Sequence, residues 1–141
     1  MLRQASCCGT DFYKAGLQGA DFVDVLGHGI YLAKADASDA RFDRGSFWHG
    51  QFREASCSRA SFVGANLSLC DFRNASLEGA DLRNTTLGWT DFTGAFLDSQ
   101  TRLGGAKGVE DYVTATMLRF EDEEIMGDGA IDLLVALTRD E

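Results

Sequence analysis

A large apolar side chain returns at every fifth position along most of the chain. Within "GANLSLCDFRNASLEGADL", residues 64–82, these positions are Leu67, Phe72, Leu77 and Leu82. A spacing of five matches neither an α-helix, which repeats every 3.6 residues, nor a β-strand, which repeats every two. The chain must therefore repeat a backbone unit that is five residues long.

Twenty such positions, here called centres, run from Leu2 to Leu97, and none of them is charged. The residue two places before a centre is nearly always small, most often Ala. Residues i and i−2 lie on the same side of an extended segment, so both are predicted to face inward. The predicted buried ladder includes Phe12, Phe22, Phe42, Phe47, Phe52, Phe62, Phe72, Leu77, Leu82 and Phe92.

Short extended segments joined by tight turns make a solenoid, because stacked coils satisfy each other's backbone hydrogen bonds. Helical repeats are excluded, since five residues cannot hold a pair of helices. Each buried centre should contribute roughly 1.5–3 kcal/mol through apolar burial. The Phe and Leu ladder is therefore a structural feature of an all-β solenoid.

The segments "GANLS", "CDFRN", "ASLEG", "GADLRN" and "TDFTG" resemble the pentapeptide-repeat family, whose consensus is A(D/N)Lxx. The resemblance covers residues 2–99. It implies a right-handed quadrilateral β-helix with four pentapeptides per coil, and therefore about five coils. The five-residue period by itself does not fix the number of repeats per coil.

The pattern changes around the second coil. Gly27 occupies a centre while Val25, two places earlier, is enlarged, and Ile30 and Ala37 show similar adjustments. This predicts an exchange of volume within one layer of a densely packed interior. A local bulge or a loosened coil is the alternative.

The five-residue register fails after residue 99, where Arg102 stands at the expected next centre. The sequence predicts a β-helix over 1–99, a glycine-rich connection over 100–108 and a C-terminal cap over 109–141. Within the cap we expect a strand at "DYVTATMLRF", an exposed turn at "EDEE" and a short return strand at "EIM". A helix should follow, with Asp128 as N-cap and one apolar face formed by Ala130, Leu133, Leu134 and Leu137.

Both ends of the rod need an explanation, because an open coil exposes backbone groups and core side chains. The tail is expected to cover the C-terminal coil, and a dimerisation element is the alternative. At the other end the repeats begin at Leu2. Either that end pairs with another molecule or the chain was cut from something longer.

Nothing in the predicted interior can act as an acid, a base or a nucleophile, so we expect no enzyme activity and no cofactor. Cys7, Cys57 and Cys70 take inward places, where a thiol behaves as a small apolar group, whereas Cys8 should face outward. We expect no disulfide and a cytoplasmic location, although relatives in plastid lumens leave a thylakoid compartment open. No apolar stretch is long enough to span a membrane.

Three potential metal ligands lie near one another on the predicted rod. With twenty residues per coil, Cys8 and His28 would stack in one outward column, and His49 would lie diagonally next to them. Zinc sites in proteins usually have four ligands, and a fourth is missing here. We therefore predict no bound metal.

The net charge of the chain and its distribution bear on two possible functions, nucleic-acid binding and DNA mimicry. The net charge is −9, which argues against direct binding of nucleic acid. One branch of the family that the chain resembles mimics DNA and protects type II topoisomerases such as gyrase from inhibitors. However, residues 1–99 carry a net charge of only −3 and the remainder carries −6. Six arginines interrupt the predicted rod: Arg41, Arg44, Arg53, Arg59, Arg73 and Arg83.

A non-catalytic protein-interaction or structural module with an unknown partner is therefore the favoured function, and the DNA mimic is the alternative. Folding the sequence at twenty gives one face without charge, which reads ASCCG, VLGHG, GSFWH, ANLSL and TTLGW. Its outward positions include the predicted interaction residues Leu26, His28, Trp48, His49, Leu69 and Trp89. Either the tail folds over Trp89 and Leu69, or a second copy or another partner contacts the face across Trp48. A homodimer could equally use a rod end or the tail.

Overall fold

The computed structural model describes residues 2–109 and 113–139, and its backbone repeats a turn every five residues. The carbonyl of most centres accepts a hydrogen bond from the N–H three residues later, as Phe52 does from Ala55 at 3.0 Å. The second turn residue has a positive φ, for example 59° at Glu54. These are the features of a type II turn. The five-residue period is thus an extended segment followed by a tight turn.

Residues twenty positions apart pair in parallel. Ser6 pairs with Leu26, Leu26 with Ser46, and Ser46 with Asn66, and three further columns keep the same offset. Each coil of this region therefore contains four pentapeptides. The extended segments are so short that only one of them, β1 at Phe96–Leu97, amounts to a strand.

The core lies along the axis of this solenoid. Nine of the ten predicted ladder residues are fully buried, while Phe12 in the first coil is only partly buried. Aromatic rings stack in two columns through the interior. One joins Phe22, Phe42 and Phe62, with ring centroids 5.0 and 4.8 Å apart. The other consists of Phe52, Phe72 and Phe92, with centroids 4.6 and 5.5 Å apart.

The irregular second coil keeps its register, so there is no bulge at this point. The Leu26–Ser46 and Tyr31–Gln51 bridges retain the twenty-residue offset. A Cβ atom at Gly27 would lie 2.9 Å from the Phe47 ring. Phe47, one coil further on, therefore fills the space left by the glycine. The compensation involves adjacent coils as well as the single layer predicted from the sequence.

Parallel pairing continues past residue 99, although the strict five-residue spacing does not. Arg102 pairs with Asp81 and Lys107 with Thr86, each at an offset of 21. The extra residue lies in the Asp98–Thr101 turn, after which Thr101 and Leu103 take the small and large inward positions. Leu103, which the sequence assigned to a glycine-rich connection, is therefore buried in the core.

A small sheet and a helix complete the chain. Strand β1 pairs in parallel with β2, Met117–Phe120, which pairs antiparallel with β3, Glu123–Met126. Helix α1 follows at Asp128–Arg139. Residues 111–112 of the predicted strand lie outside the described residues, and of the remainder, 113–120, only the last four form the strand. The turn is shorter than the predicted acidic segment, because it covers only Glu121 and Asp122, and β3 begins at Glu123, one residue before the predicted return strand.

Helix α1 packs its predicted apolar face against the core. Ala130 and Leu134 are buried, and Leu133 and Leu137 are partly buried against the same cluster. The Thr138 carbonyl also accepts a hydrogen bond from the N–H of Gly105 at 2.9 Å. The helix is therefore attached to the last turn of the solenoid by both apolar and polar contacts.

Candidate interaction face

The uncharged face is the side of the rod whose centres are Cys7, Gly27, Phe47, Leu67 and Leu87. Its coils stay in register, because the N–H of Gly29 donates to the carbonyl of Trp48 at 2.9 Å and that of His49 to Ser68 at 3.0 Å. The outward residues therefore form straight columns, which are Ser6-Leu26-Ser46-Asn66-Thr86, Cys8-His28-Trp48-Ser68-Gly88 and Gly9-Gly29-His49-Leu69-Trp89. The structure thus brings all six predicted interaction residues to one side of the rod.

Most of these side chains are open to solvent. Trp48 is 43% exposed, Leu26 is 44% exposed and Trp89 is 62% exposed. His28 and His49 are also exposed, and Leu69 is half-buried. Within the described part of the tail, 113–139, helix α1 packs Ala130 and Leu134 into the core cluster. These described tail residues leave much of the Trp89 indole exposed.

An aromatic cluster occupies the middle of the face. The His28 ring meets the Trp48 ring edge-on at 6.0 Å between centroids, and His49 does so at 4.8 Å. Nε2 of His28 lies 2.8 Å from the Ser46 hydroxyl. These contacts hold Trp48 among polar neighbours while leaving much of the indole accessible.

Two apolar residues on this face adopt a backbone conformation that favours glycine. Leu69 and Trp89 have φ angles of 62° and 63° at the second turn position. Elsewhere among the described turns that position holds Gly or a polar or charged residue. A left-handed conformation costs a non-glycine residue about 1–2 kcal/mol. The rod thus carries two large apolar side chains at turn positions where a smaller residue would be easier to accommodate.

On the charged faces, aspartates just before the centres form hydrogen bonds to the backbone of the following turn. Asp71 accepts a hydrogen bond from the backbone N–H of Arg73 at 3.0 Å, and Asp11, Asp91 and other residues just before a centre do the same. This bond explains the D/N preference of the repeat, because it supports the turn. It was not anticipated from the sequence, although an Asp or Asn before many centres was a visible signal.

Arginines on the rod pair with aspartates. The guanidinium of Arg44 donates to Asp24 at 3.0 Å, and that of Arg59 to Asp39 at 2.9 Å, in both cases between adjacent coils. A hydrogen bond from the Arg59 side chain lowers the pKa of Asp39 despite the opposing effect of desolvation. The twenty-residue spacing of these pairs was a signal in the sequence that was not used.

The cysteines are free, and three of them are buried. Desolvation raises the pKa of Cys57 to about 12 and also raises that of Cys70, whose thiol lies 2.9 Å from the Phe47 carbonyl. A thiol with a raised pKa is a poor nucleophile at neutral pH. Cys7 is buried and Cys8 exposed, which matches the opposite orientations expected of these neighbours.

No group of three or more metal-ligating side chains converges within residues 2–109 and 113–139. The thiol of Cys8 lies 3.7 Å from the Leu26 carbonyl, and His28 contacts Ser46. None of the helices in the described segments has the length and apolar character needed to cross a membrane. The face is therefore an exposed row of aromatic and apolar groups between charged neighbours.

Solved structures support the same architecture. The chain matches the pentapeptide repeat protein Rfr23 from the cyanobacterium Cyanothece 51142 at 25% identity and a TM-score of 0.64, covering 64% of this chain and 62% of that one. It matches a pentapeptide repeat protein from the Arabidopsis thaliana thylakoid lumen at 22% identity and a TM-score of 0.55, covering 76% and 63%. The matches therefore span less than two-thirds of both relatives.

A third match is QnrB1, described as a plasmid-mediated fluoroquinolone resistance protein. Its identity is 16% over 94% of this chain and 84% of that one, and its TM-score of 0.31 is too low to support an argument. No curated protein matches the chain. The family described as "Pentapeptide repeats" matches in 8 copies over residues 1–26, 51–88 and 60–98, slightly more than half of the sequence. The chain belongs to the pentapeptide repeat family, whose fold is in general a right-handed quadrilateral β-helix.

Proposed function

We propose that this protein is a non-catalytic interaction module that binds a protein partner through the uncharged face. The observation that carries the proposal is the exposure of Trp48 and Trp89 on the one side of the rod that has no charged residue up to position 89. Tryptophan is enriched at the centres of protein interfaces, and exposed apolar patches often mark such sites. The rigid solenoid holds these side chains in a fixed row.

The interior supports a non-catalytic role. The described inward positions hold Phe, Leu, Ala and other apolar or small residues, and the buried polar exceptions include Thr85 and Thr90. Both threonine hydroxyls donate to backbone carbonyls, Thr85 to Leu82 and Thr90 to Leu67. These groups complete the packing and leave no acid–base pair directed at a cleft.

The DNA-mimic alternative receives less support. A duplex mimic needs a continuous acidic surface along the rod. Here Arg44, Arg59 and Arg73 pair with aspartates on the rod body. Four consecutive exposed acids lie instead at the end of the β2–β3 hairpin, with Glu121 and Asp122 in the turn and Glu123 and Glu124 at the start of β3.

The finer organisation is also part of this proposal. We infer about five coils over residues 1–99, followed by a C-terminal unit that covers the end of the rod. The packing of Ala130 and Leu134 on the core supports the capping role. A cytoplasmic location fits four free cysteines, three of them buried.

The test compares Trp48→Glu with a matched control, Tyr13→Glu. Tyr13 is an aromatic residue on a charged face and is 44% exposed, close to the 43% of Trp48. Both tagged variants and the parent chain would be used to capture proteins from the source cell, after thermal melting confirms that each is folded. A partner retained by Tyr13→Glu and lost by Trp48→Glu supports the proposal.

A purified gyrase assay separates the two functions. A DNA mimic should relieve quinolone inhibition of supercoiling, and the effect should weaken as salt rises. The interaction module should do neither. Salt-sensitive relief that survives Trp48→Glu would favour the mimic and contradict the proposal.

A further inference from the structure

We propose that the uncharged face binds the same face of a second copy of this chain, with the two rods antiparallel. This inference rests on the proposed function, because it names the partner of that interaction face. It is supported by three properties of the face: the absence of charge, the order of side-chain sizes along its columns, and open space above its glycines.

The charge of the chain limits which face can contact a second copy. Each copy carries a net charge of −9, so two copies repel at long range. Contact through a face with aspartates would add like charges at short range. The uncharged face has no charged side chain along its five coils from Ser6 to Trp89. Lys107 follows Thr86 in the Ser6 column, one coil beyond this stretch. A self-contact on this face thus has the smallest electrostatic penalty that the rod offers.

The symmetry of the dimer decides which residues of the two copies meet. A two-fold axis that lies in the interface, perpendicular to the rods, makes the rods antiparallel and places each column opposite itself in reverse order. With the axis at the middle coil, Trp48 meets Trp48 of the second copy. The columns then need to be complementary in size from one end to the other.

Side-chain size changes in a regular order along the columns of the uncharged face. Along the turn column the residues are Gly9, Gly29, His49, Leu69 and Trp89, which grow from the N-terminal end to the C-terminal end. Antiparallel pairing places Trp89 opposite Gly9, and Leu69 opposite Gly29. A Cβ atom built on either glycine meets nothing within 4 Å, so the surface there is open. Each large side chain therefore faces a vacant position.

The neighbouring column also places larger side chains opposite smaller ones when it is reversed. Its residues are Cys8, His28, Trp48, Ser68 and Gly88. Reversal places Cys8 opposite Gly88 and His28 opposite Ser68, and the Cβ position of Gly88 is also open. Two adjacent columns are thus self-complementary about the same coil.

A parallel dimer fits less well. An axis along the rods sets equal levels opposite each other, so Leu69 and Trp89 of both copies would meet at one end. Gly9 and Gly29 would leave a gap at the other end. The large side chains of one copy face the glycines of the other copy only when the two rods are antiparallel.

The size of the face predicts a weak dimer. Five coils spaced about 4.8 Å apart give a face about 20 Å long. One side of a coil is only a few extended residues wide, so such a patch buries less than the roughly 1,000 Å² in total that a stable specific interface needs. We therefore expect reversible association in the micromolar range. Because the copies repel, association should strengthen as salt screens their charge.

The experiment uses sedimentation velocity and disulfide trapping on the full chain. The parent protein is expected to dimerise increasingly with concentration and at higher sodium chloride. Trp48→Glu should be monomeric at concentrations where Tyr13→Glu still dimerises. For trapping, Gly88→Cys adds a thiol opposite Cys8 of the second copy, and copper–phenanthroline with oxygen serves as the oxidant.

The trapping result reports orientation. Gly88→Cys should give a covalent dimer that dithiothreitol reverses, whereas Cys8→Ser combined with Gly88→Cys should not. In the antiparallel dimer the two Cys8 thiols lie about 19 Å apart along the rods, four coil spacings, so the parent chain should not crosslink. Crosslinking of the parent through Cys8 would overturn the orientation. The trapping remains informative even where Trp48→Glu fails to fold.

The two proposals fail in different ways. A parent chain that stays monomeric at several hundred micromolar and high salt overturns the self-association. If a different protein is then captured by Tyr13→Glu and lost by Trp48→Glu, the interaction face itself stands. Capture that does not respond to Trp48→Glu overturns the proposed function.

Discussion

The first coil and the middle of the rod have the same repeat pattern but different burial. Phe12 and Phe72 are both centres, yet Phe72 is fully buried while Phe12 is only partly buried. The Phe72 ring stacks between Phe52 at 4.6 Å and Phe92 at 5.5 Å. The Phe12 ring meets Phe22 edge-on at 5.8 Å. The five-residue register decides which way a side chain points, whereas full burial of a ring as large as phenylalanine also requires stacked coils around it.

The largest expected effect tests the middle of the rod. Phe72→Ala removes a ring packed between two others, and we expect it to lower the free energy of unfolding by about 3–5 kcal/mol. Urea unfolding followed by circular dichroism measures the change. Phe72→Leu is the matched control, because Leu serves as a centre at Leu77 and Leu82, and it should cost less than about 1.5 kcal/mol. A cost for Phe72→Ala below that of the control would contradict the stacked core.

The same change in the first coil should cost less. Phe12→Ala removes a ring that is already partly in water, so we expect a loss of about 1–2 kcal/mol. The same urea titration provides the measurement. A loss equal to that of Phe72→Ala would break the comparison, because it would mean that another chain or copy covers the first coil in solution.

Much of this fold follows from local rules. Each five-residue unit determines by itself that the centre and the small residue two places before it face inward. The buried ladder could therefore be predicted residue by residue. The number of units per coil could not, because it depends on pairing between residues twenty apart. Only the resemblance to the family supplied it.

The boundary after residue 99 shows why a strict period fails. One additional residue in the Asp98–Thr101 turn shifts the register, yet Thr101 and Leu103 still form a small–large inward pair. The Thr101 hydroxyl donates to the Leu77 carbonyl at 2.8 Å, which fixes the shifted turn to the previous coil. A search that allowed one inserted residue would have found this continuation.

The candidate face could be predicted because folding the sequence at twenty needs only the coil length. The exposure of Trp89 could not, since it depends on where the tail packs. In the structure Ala130 and Leu134 of helix α1 belong to the core cluster, and Trp89 stays 62% exposed. Long-range packing of that kind leaves no periodic signal in the sequence.

Acid sensitivity provides a second comparison between the coils, because Asp11 and Asp71 occupy equivalent positions in one column. Partial burial by itself would raise the pKa of Asp71. Hydrogen bonds from the Arg73 side chain and backbone, with the charges of Arg73 and Arg53, outweigh this effect and lower the pKa below its usual value. Ionised Asp71 therefore stabilises the fold above about pH 4, the range of an unfolded aspartate. That stabilisation is lost as pH falls through the folded-state pKa.

Asp71→Asn should therefore give the smallest effect and the clearest pH signature. The amide oxygen can still accept the turn hydrogen bond, as Asn66 does from Ser68 at 3.1 Å, while the charge interaction is removed. Because Arg73 is 44% exposed, we expect a loss of less than about 1 kcal/mol at pH 7. The difference from the parent should shrink between about pH 5 and pH 2, measured by urea unfolding at each pH. Asp11→Asn, a change to an exposed carboxylate in the first coil, is the control. A difference that is independent of pH would show that the turn hydrogen bond, rather than the charge of Asp71, stabilises this part of the rod.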